Sequence, residues 1–465
     1  MRNPRAMPLF STVLGLLAAA GWAGPEGDNW PQWRGPRSDG STAARDLPVK
    51  WTQTESVAWR TELPSWSAAT PIVWGDTVFV TSAQEGFAEP SAGSPRPRSE
   101  GDASADKIFL LAVDRKDGRV RWSREVDAGN RLFRKHNATS PSPLTDGRHV
   151  WVMTANGRLT CLTMAGQQVW RRDMQADYGP FGLNHGYAST PLLHGGRLYV
   201  QVLHGMKTDD PSYVLALDPA TGKTIWRVER PTDAVQESPD SYTTPQVVPV
   251  EGKEHLVISG GDYVTGHDLD TGRERWRIGG FNPSNNPYNR IIASALVVGD
   301  AVLAGASRGR PFIAFRPRGE GNITGKSELW TNDLGADVPT PTTDGTYVYV
   351  LNDKGFLNCL EAKTGKVVYE GQRIELGTYS ASPLLADGKI YCTSEEGATT
   401  VVKAGPAFEV LAVNKLESRT LSSPVAVGDQ LFIRTADHLY CVRKGPARSG
   451  GSSPRAGGVA AASVP

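Results

Sequence analysis

Short runs of alternating apolar and polar residues, separated by Gly- and Pro-bearing turns, recur from about residue 51 to residue 444. Period-two alternation over so few residues predicts β-strands rather than helices. The clearest stretch starts at residue 187 and reads YASTPLLHGGRLYVQV, then a polar turn, then YVLALDPATGKTIWRV. A small hydroxyl residue before Pro opens it. A strand, a Gly turn and a second alternating strand follow. Another hairpin leads to a strand ending in Leu-Asp, and a T-G-K turn precedes a last strand carrying Trp226. Four short strands joined by tight turns predict one propeller blade.

The opening recurs eight times: AATP (68–71), ATSP (138–141), ASTP (188–191), YTTP (242–245), IASA (292–295), VPTP (338–341), SASP (380–383) and LSSP (421–424). The closing element recurs with its aromatic residue at Trp122, Trp170, Trp226, Trp276 and Tyr369, and in a stretched form at Trp330. The seventh copy is degenerate and ends near Leu411. The eighth stops at LYCVRK, before any closing strand. The missing strand is SVAWRTEL near the other end, with Trp59 in the equivalent place. The expected fold is all-β: an eight-bladed β-propeller of four-stranded blades, its ring closed by an N-terminal strand. Such closure leaves no free sheet edge. Trp59, Trp122, Trp170, Trp226, Trp276, Trp330 and Tyr369 are assigned to packing between blades. Each ring is expected over the next blade's T-G turn, with a backbone carbonyl accepting from the indole N–H.

Outside the repeat, Arg2 and Arg5, an apolar run from Met7 to Ala20 and Gly21-Trp22-Ala23 read as a signal peptide over 1–23. The run falls short of the ~20 residues of a membrane span. Residues 24–50 form an extension whose Trp30 and Trp33 suggest contact with the propeller. Residues 87–106 read as a flexible insertion in blade 1, and 445–465 as a disordered tail. A net charge of +1 without a basic stripe argues against nucleic acid; Arg134-Lys135 reads as a solvated loop pair. None of the four cysteines forms a C-x-x-C pair, and three (Cys161, Cys359 and Cys441) stand where VLALD has alanine. They are read as small buried hydrophobes.

The A-L-D-x-x-T-G-K-x-x-W element resembles the tryptophan-docking motif of the PQQ-like repeat family, over roughly residues 51–444. The family holds PQQ-dependent alcohol dehydrogenases and the non-catalytic propeller of the outer-membrane protein assembly machine. The dehydrogenase members imply an adjacent Cys-Cys pair and a Ca²⁺ shell of Glu, Asn and Asp; this chain has no adjacent cysteines. The assembly member implies no cofactor and partner binding through loops, although no lipid-bearing Cys follows the apolar run here. The expectation is therefore a non-catalytic, exported scaffold, periplasmic or secreted, monomeric, without cofactor or metal. PQQ with Ca is the alternative.

Loops entering the innermost strands crowd round one mouth of a propeller. Counting back from the opening Pro positions, with neighbouring loop residues, gives the candidate binding set: Trp66, His136, Asn137, Asn184, His185, Tyr187, Asp240, Tyr288, Arg290, Tyr379 and Arg419. The partner would be a protein or a small ligand. His136 and His185 belong to successive blades, but two His without a recognised carboxylate do not make a metal site.

Overall fold

The computed structural model describes residues 28–84 and 106–445. The expected signal peptide, nearly all of the 87–106 insertion and nearly all of the tail lie outside them. Eight small antiparallel sheets follow one another along the chain. The second strand of a blade is buried along its whole length in Thr77–Ala83, because neighbouring blades cover both faces. Outermost strands such as Gln168–Asp173 are half exposed. Val57–Glu62 pairs antiparallel with His438–Arg443 and completes blade 8, so the ring closes as expected. Blades 4 and 7 gain a fifth strand. Gly321–Asn322 runs parallel beside Glu274–Ile278, and Ser41–Thr42 runs parallel beside the innermost Leu384–Ala386.

Five of the seven aromatic residues dock as expected. Trp59, Trp122, Trp170, Trp226 and Trp330 donate their indole N–H to the carbonyls of Arg115, Met164, Pro219, Leu269 and Ala362 at 2.9–3.2 Å. Each ring covers the turn glycine of the next blade: Gly118, Gly166, Gly222, Gly272 and Gly365. Across the strand pair each of the five faces a small residue, Cys441, Ala112, Cys161, Ala216 or Ala314. That small side chain makes room for the indole, so cysteine at this position is packing. All four cysteines are buried and free.

Trp276 and Tyr369 depart from the pattern. Trp276 faces Gly266, which has no side chain, so the indole folds back over its own blade and donates to His255 Nδ1 at 3.0 Å. The turn glycine of blade 5, Gly325, accordingly has no ring over it. Tyr369 meets the degenerate blade 7 and packs edge-on against Phe408 at 5.7 Å.

The opening of blade 2 lies two residues beyond the expected 138–141. Ser142-Pro143 enters the innermost strand Leu144–Thr145, and Ser142 takes the place that Thr70 and Thr190 take in their blades. Two Ser-Pro pairs in succession, S140-P141-S142-P143, hid this register.

Residues 29–42 enter the ring at the end opposite the mouth. Trp30 bridges Val73 and is 1% exposed. The Pro31 carbonyl accepts from Thr145 N–H at 2.8 Å. Arg34, fully buried, donates to the carbonyls of Pro341 and Pro383, both at 2.9 Å. The segment plugs the channel, and Trp33 lines the space above it.

Candidate functional site

A plugged channel becomes a blind cup of about 740 Å³. Its wall begins with one hydroxyl residue per blade, each just before the opening Pro or its equivalent. Seven links join them: Thr70 to Ser142, then Thr190, Thr244, Ser294, Thr340, Ser382 and Ser423, each backbone N–H donating to the next blade's hydroxyl oxygen at 2.9–3.4 Å. A hydroxyl carries one donor and two lone pairs. Each accepting oxygen in the ring commits a lone pair to a neighbour's backbone and keeps its O–H. This gives the small hydroxyl before Pro a physical role: it ties the blades together at the channel.

Above the ring a hairpin overhangs the mouth. Leu132–Phe133 pairs with His136–Asn137, and Arg134 at the tip has φ +55°. A non-glycine residue there stores strain of order 1 kcal/mol. Phe133 rests against Gly186, where a Cβ would stand 2.4 Å from the ring. Lys135 reaches the wall of blade 7, its Nζ 2.7 Å from Glu395 Oε1. Glu395 also accepts from the Ser380 hydroxyl and lies 3.6 Å from Arg419 Nη2. On the other side, buried Glu237 faces His185 Nε2 at 3.1 Å and Arg290 Nε at 3.9 Å.

The cup is lined by the cations Arg134, Lys135 and Arg290, by His136 and His185, and by the carboxylates Asp337 and Asp353. Burial, helped by the charges of Arg134 and Arg290, drives the His185 pKa down to about 4 against the pull of Glu237. Burial also lowers that of His136. Both imidazoles are therefore neutral near pH 7. Asp240 is pushed up to about 6 by burial, although the backbone N–H groups of Asn184, Gly205 and Met206 donate to it.

Of the expected residues, His136, His185 and Arg290 face the cup. Trp66 and Arg419 line a smaller pocket beside it. Asn137, Tyr187, Asp240 and Tyr379 are no more than 1% exposed and belong to the loop framework. Asn137 holds the Trp66 carbonyl, Tyr187 the Gln201 carbonyl and Tyr379 the Glu375 carbonyl. Asn184 bridges Asp240 and Glu237. Tyr288 is 53% exposed on the rim. The sequence reading missed Trp33, Glu237 and Glu395, and it placed Arg134-Lys135 in solvent although both line the cup. The hairpin pattern L-F-R-K-H-N was the available signal for that pair.

Calcium requires six to eight oxygen ligands together. Here Glu237 is engaged by His185 and Arg290, and Glu395 by Lys135, Arg419 and Ser380. Among the described residues no group of three or more His, Cys, Asp or Glu could hold a metal. No helix among them is long and apolar enough to cross a membrane.

Ring and cup together define an eight-bladed propeller that presents one open face. The chain belongs to the PQQ-like propeller family whose model, described as outer membrane protein assembly factor BamB, matches residues 41–177 and 106–370. Outer membrane protein assembly factor BamB of Yersinia pestis is 22% identical over 74% of this chain and 79% of that protein. Quinohemoprotein alcohol dehydrogenase ADH-IIG of Pseudomonas putida is 28% identical over 36% of this chain but only 24% of that protein. Among solved structures, BamB from Moraxella catarrhalis superposes with TM-score 0.56 at 11% identity, covering 83% of this chain and 99% of that one. A europium-containing methanol dehydrogenase gives 0.64 at 12%, covering 89% and 91%. Likeness at such identities shows the shared fold.

Proposed function

We propose that the protein is a non-catalytic binding propeller, exported to the periplasm or secreted, that holds a protein partner or small ligand at the mouth of the cup and works as a monomer. The observation that carries this reading is the blind cup, with ionic groups from several blades held in place by the buried carboxylates Glu237 and Glu395. The length-wide similarity to an assembly factor supports a binding role. A second reading, a PQQ- and Ca-dependent dehydrogenase, draws on the fold shared with quinoprotein enzymes. The carboxylates already engaged by the protein's own groups and the separate, buried cysteines do not supply what that reading needs.

The test titrates the purified chain with PQQ and Ca²⁺ while following absorbance and melting temperature, and in parallel captures partners with wild type and Arg290→Ala. Capture lost in the variant, with no melting shift at saturating cofactor, supports the binding reading. A raised melting temperature together with dye reduction by alcohols would replace it with the enzyme.

A further inference from the structure

The hydroxyl ring in the wall of the cup leaves half of its hydrogen-bonding capacity unused. Ser142, Thr190, Thr244, Thr340, Ser382 and Ser423 each accept a neighbour's backbone N–H and line the cup. They are only 2–8% exposed, yet none of their O–H groups has an acceptor among the described residues. Buried side-chain polar atoms normally find partners. Thr70 stands where the ring is open. Its backbone N–H donates to Ser142, while its hydroxyl forms no hydrogen bond among the described residues although the residue lines the cup.

A serine or threonine hydroxyl carries one donor and two lone pairs. With one lone pair committed to the neighbouring blade, each oxygen still offers one donor and one acceptor to the cup. An anion would use only the donors, and a cation only the lone pairs. A ligand built of hydroxyls uses both, and so reproduces the bonds of the water it displaces. The floor adds a flat apolar surface, because Trp33 is partly exposed and lines the same space. An indole face, negative at its centre, suits the C–H groups on the face of a pyranose. The equatorial hydroxyls of such a sugar radiate outwards, as the wall hydroxyls converge inwards. A volume of about 740 Å³ falls within the range of small-molecule sites. Being blind, the cup admits a free sugar or the end of a chain.

We propose that the cup holds a neutral saccharide, with one pyranose unit resting on Trp33 and its hydroxyls bonded to the Ser/Thr ring. This rests on the reading of the cup as a binding site and adds the chemical class of what it binds.

The experiment titrates the full chain with D-glucose, maltotriose and sorbitol, read by calorimetry and by tryptophan fluorescence. Saturable glucose binding is expected, roughly tenfold or more tighter than that of sorbitol, which carries the hydroxyls without a closed ring to stack. Trp33→Ala weakens it roughly tenfold. Trp33→Phe keeps binding within about threefold but abolishes the fluorescence change, a signature that a loosened plug would not give. Thr70→Val removes a cup hydroxyl without breaking a link between blades, and weakens binding roughly threefold to tenfold. It keeps the test open should Trp33→Ala disturb the plug. Maltotriose separates the sources: binding equal to that of glucose points to a free sugar, and tighter binding to the end of a longer chain. No saturable binding of glucose or maltotriose, sorbitol binding as tightly as glucose, or wild-type affinity in both Trp33→Ala and Thr70→Val overturns the assignment. In that event partner capture still sensitive to Arg290→Ala would leave the cup reading standing, and capture insensitive to it would remove both.

Discussion

The turn glycines under the docking aromatics show how a single position controls a blade interface. Gly272 has φ +73°, and a Cβ there would stand 2.5 Å from the Trp226 ring. Gly272→Ala therefore meets both a left-handed backbone and a ring with nowhere to go. A loss of about 1–3 kcal/mol by chemical denaturation is expected, and Trp226→Ala should cost about 3–5 kcal/mol. If Gly272→Ala were as stable as wild type, the docking account would be wrong. A second residue-scale expectation concerns acid. The folded pKa of His185 is about 4, below the ~6.5 of an unfolded chain. Between those values the unfolded state binds more protons, so this contribution is complete above pH 6.5 and lost as pH falls toward 4. Asp240, raised to about 6, works the other way: its contribution is present at low pH and lost as pH rises through 6. The groups facing His185 are Glu237, Arg134, Arg290, His136 and Tyr242. His185→Gln should flatten the acid side of a plot of unfolding free energy against pH. An unchanged slope would mean that the histidine is not a buried neutral group.

At the scale of elements, the repeat was readable because every blade solves the same packing problem with the same residues. It failed where the solution changed. Gly266 in place of Ala or Cys turned Trp276 inward, and the doubled Ser-Pro of blade 2 shifted its opening. Counting back from the openings located the mouth but could not tell which way each side chain turned. His136 and Arg290 face the cup, whereas Asn137 and Tyr379 turn in to hold the backbone of their own loops. Buried Glu237 lies in a loop outside the repeat, and Glu395 takes the turn position that Ala155 and Ala436 fill in their blades, so the pattern gave neither a reason to be singled out. The hairpin carries an element-scale prediction. Gly186→Ala places a methyl against Phe133 and should lift Leu132–Asn137 away from the rim while the blades stay intact. Protease cleavage at Arg134 or Lys135 should then speed up with little change in the main melting transition. Cleavage at the wild-type rate would mean that Gly186 does not seat the hairpin.

Across the whole molecule, the ring and its plug are held by different forces, and this makes them separable. The ring is closed by strand pairing between Val57–Glu62 and His438–Arg443 and by cores shared between blades. The plug depends heavily on Arg34, whose guanidinium bonds carbonyls at the entrances of blades 6 and 7 and is driven down in pKa to about 10 by burial. No pattern in the sequence could mark it, since one arginine in a non-repeating segment has no periodicity. Arg34→Ala leaves the carbonyls of Pro341 and Pro383 short of a donor, at roughly 1–3 kcal/mol for each buried polar group left unsatisfied. That cost falls on the segment from Trp30 to Thr42 rather than on the blades. The variant should therefore show faster hydrogen exchange in residues 30–42, with exchange in the inner strands unchanged. The floor of the cup, Trp33, should loosen as well, so a ligand of the cup should bind more weakly while a partner that touches only the rim should bind as before. Exchange that quickens in ring and plug together would instead mean that the N-terminal segment is part of the propeller's cooperative unit and that the cup has no independent floor.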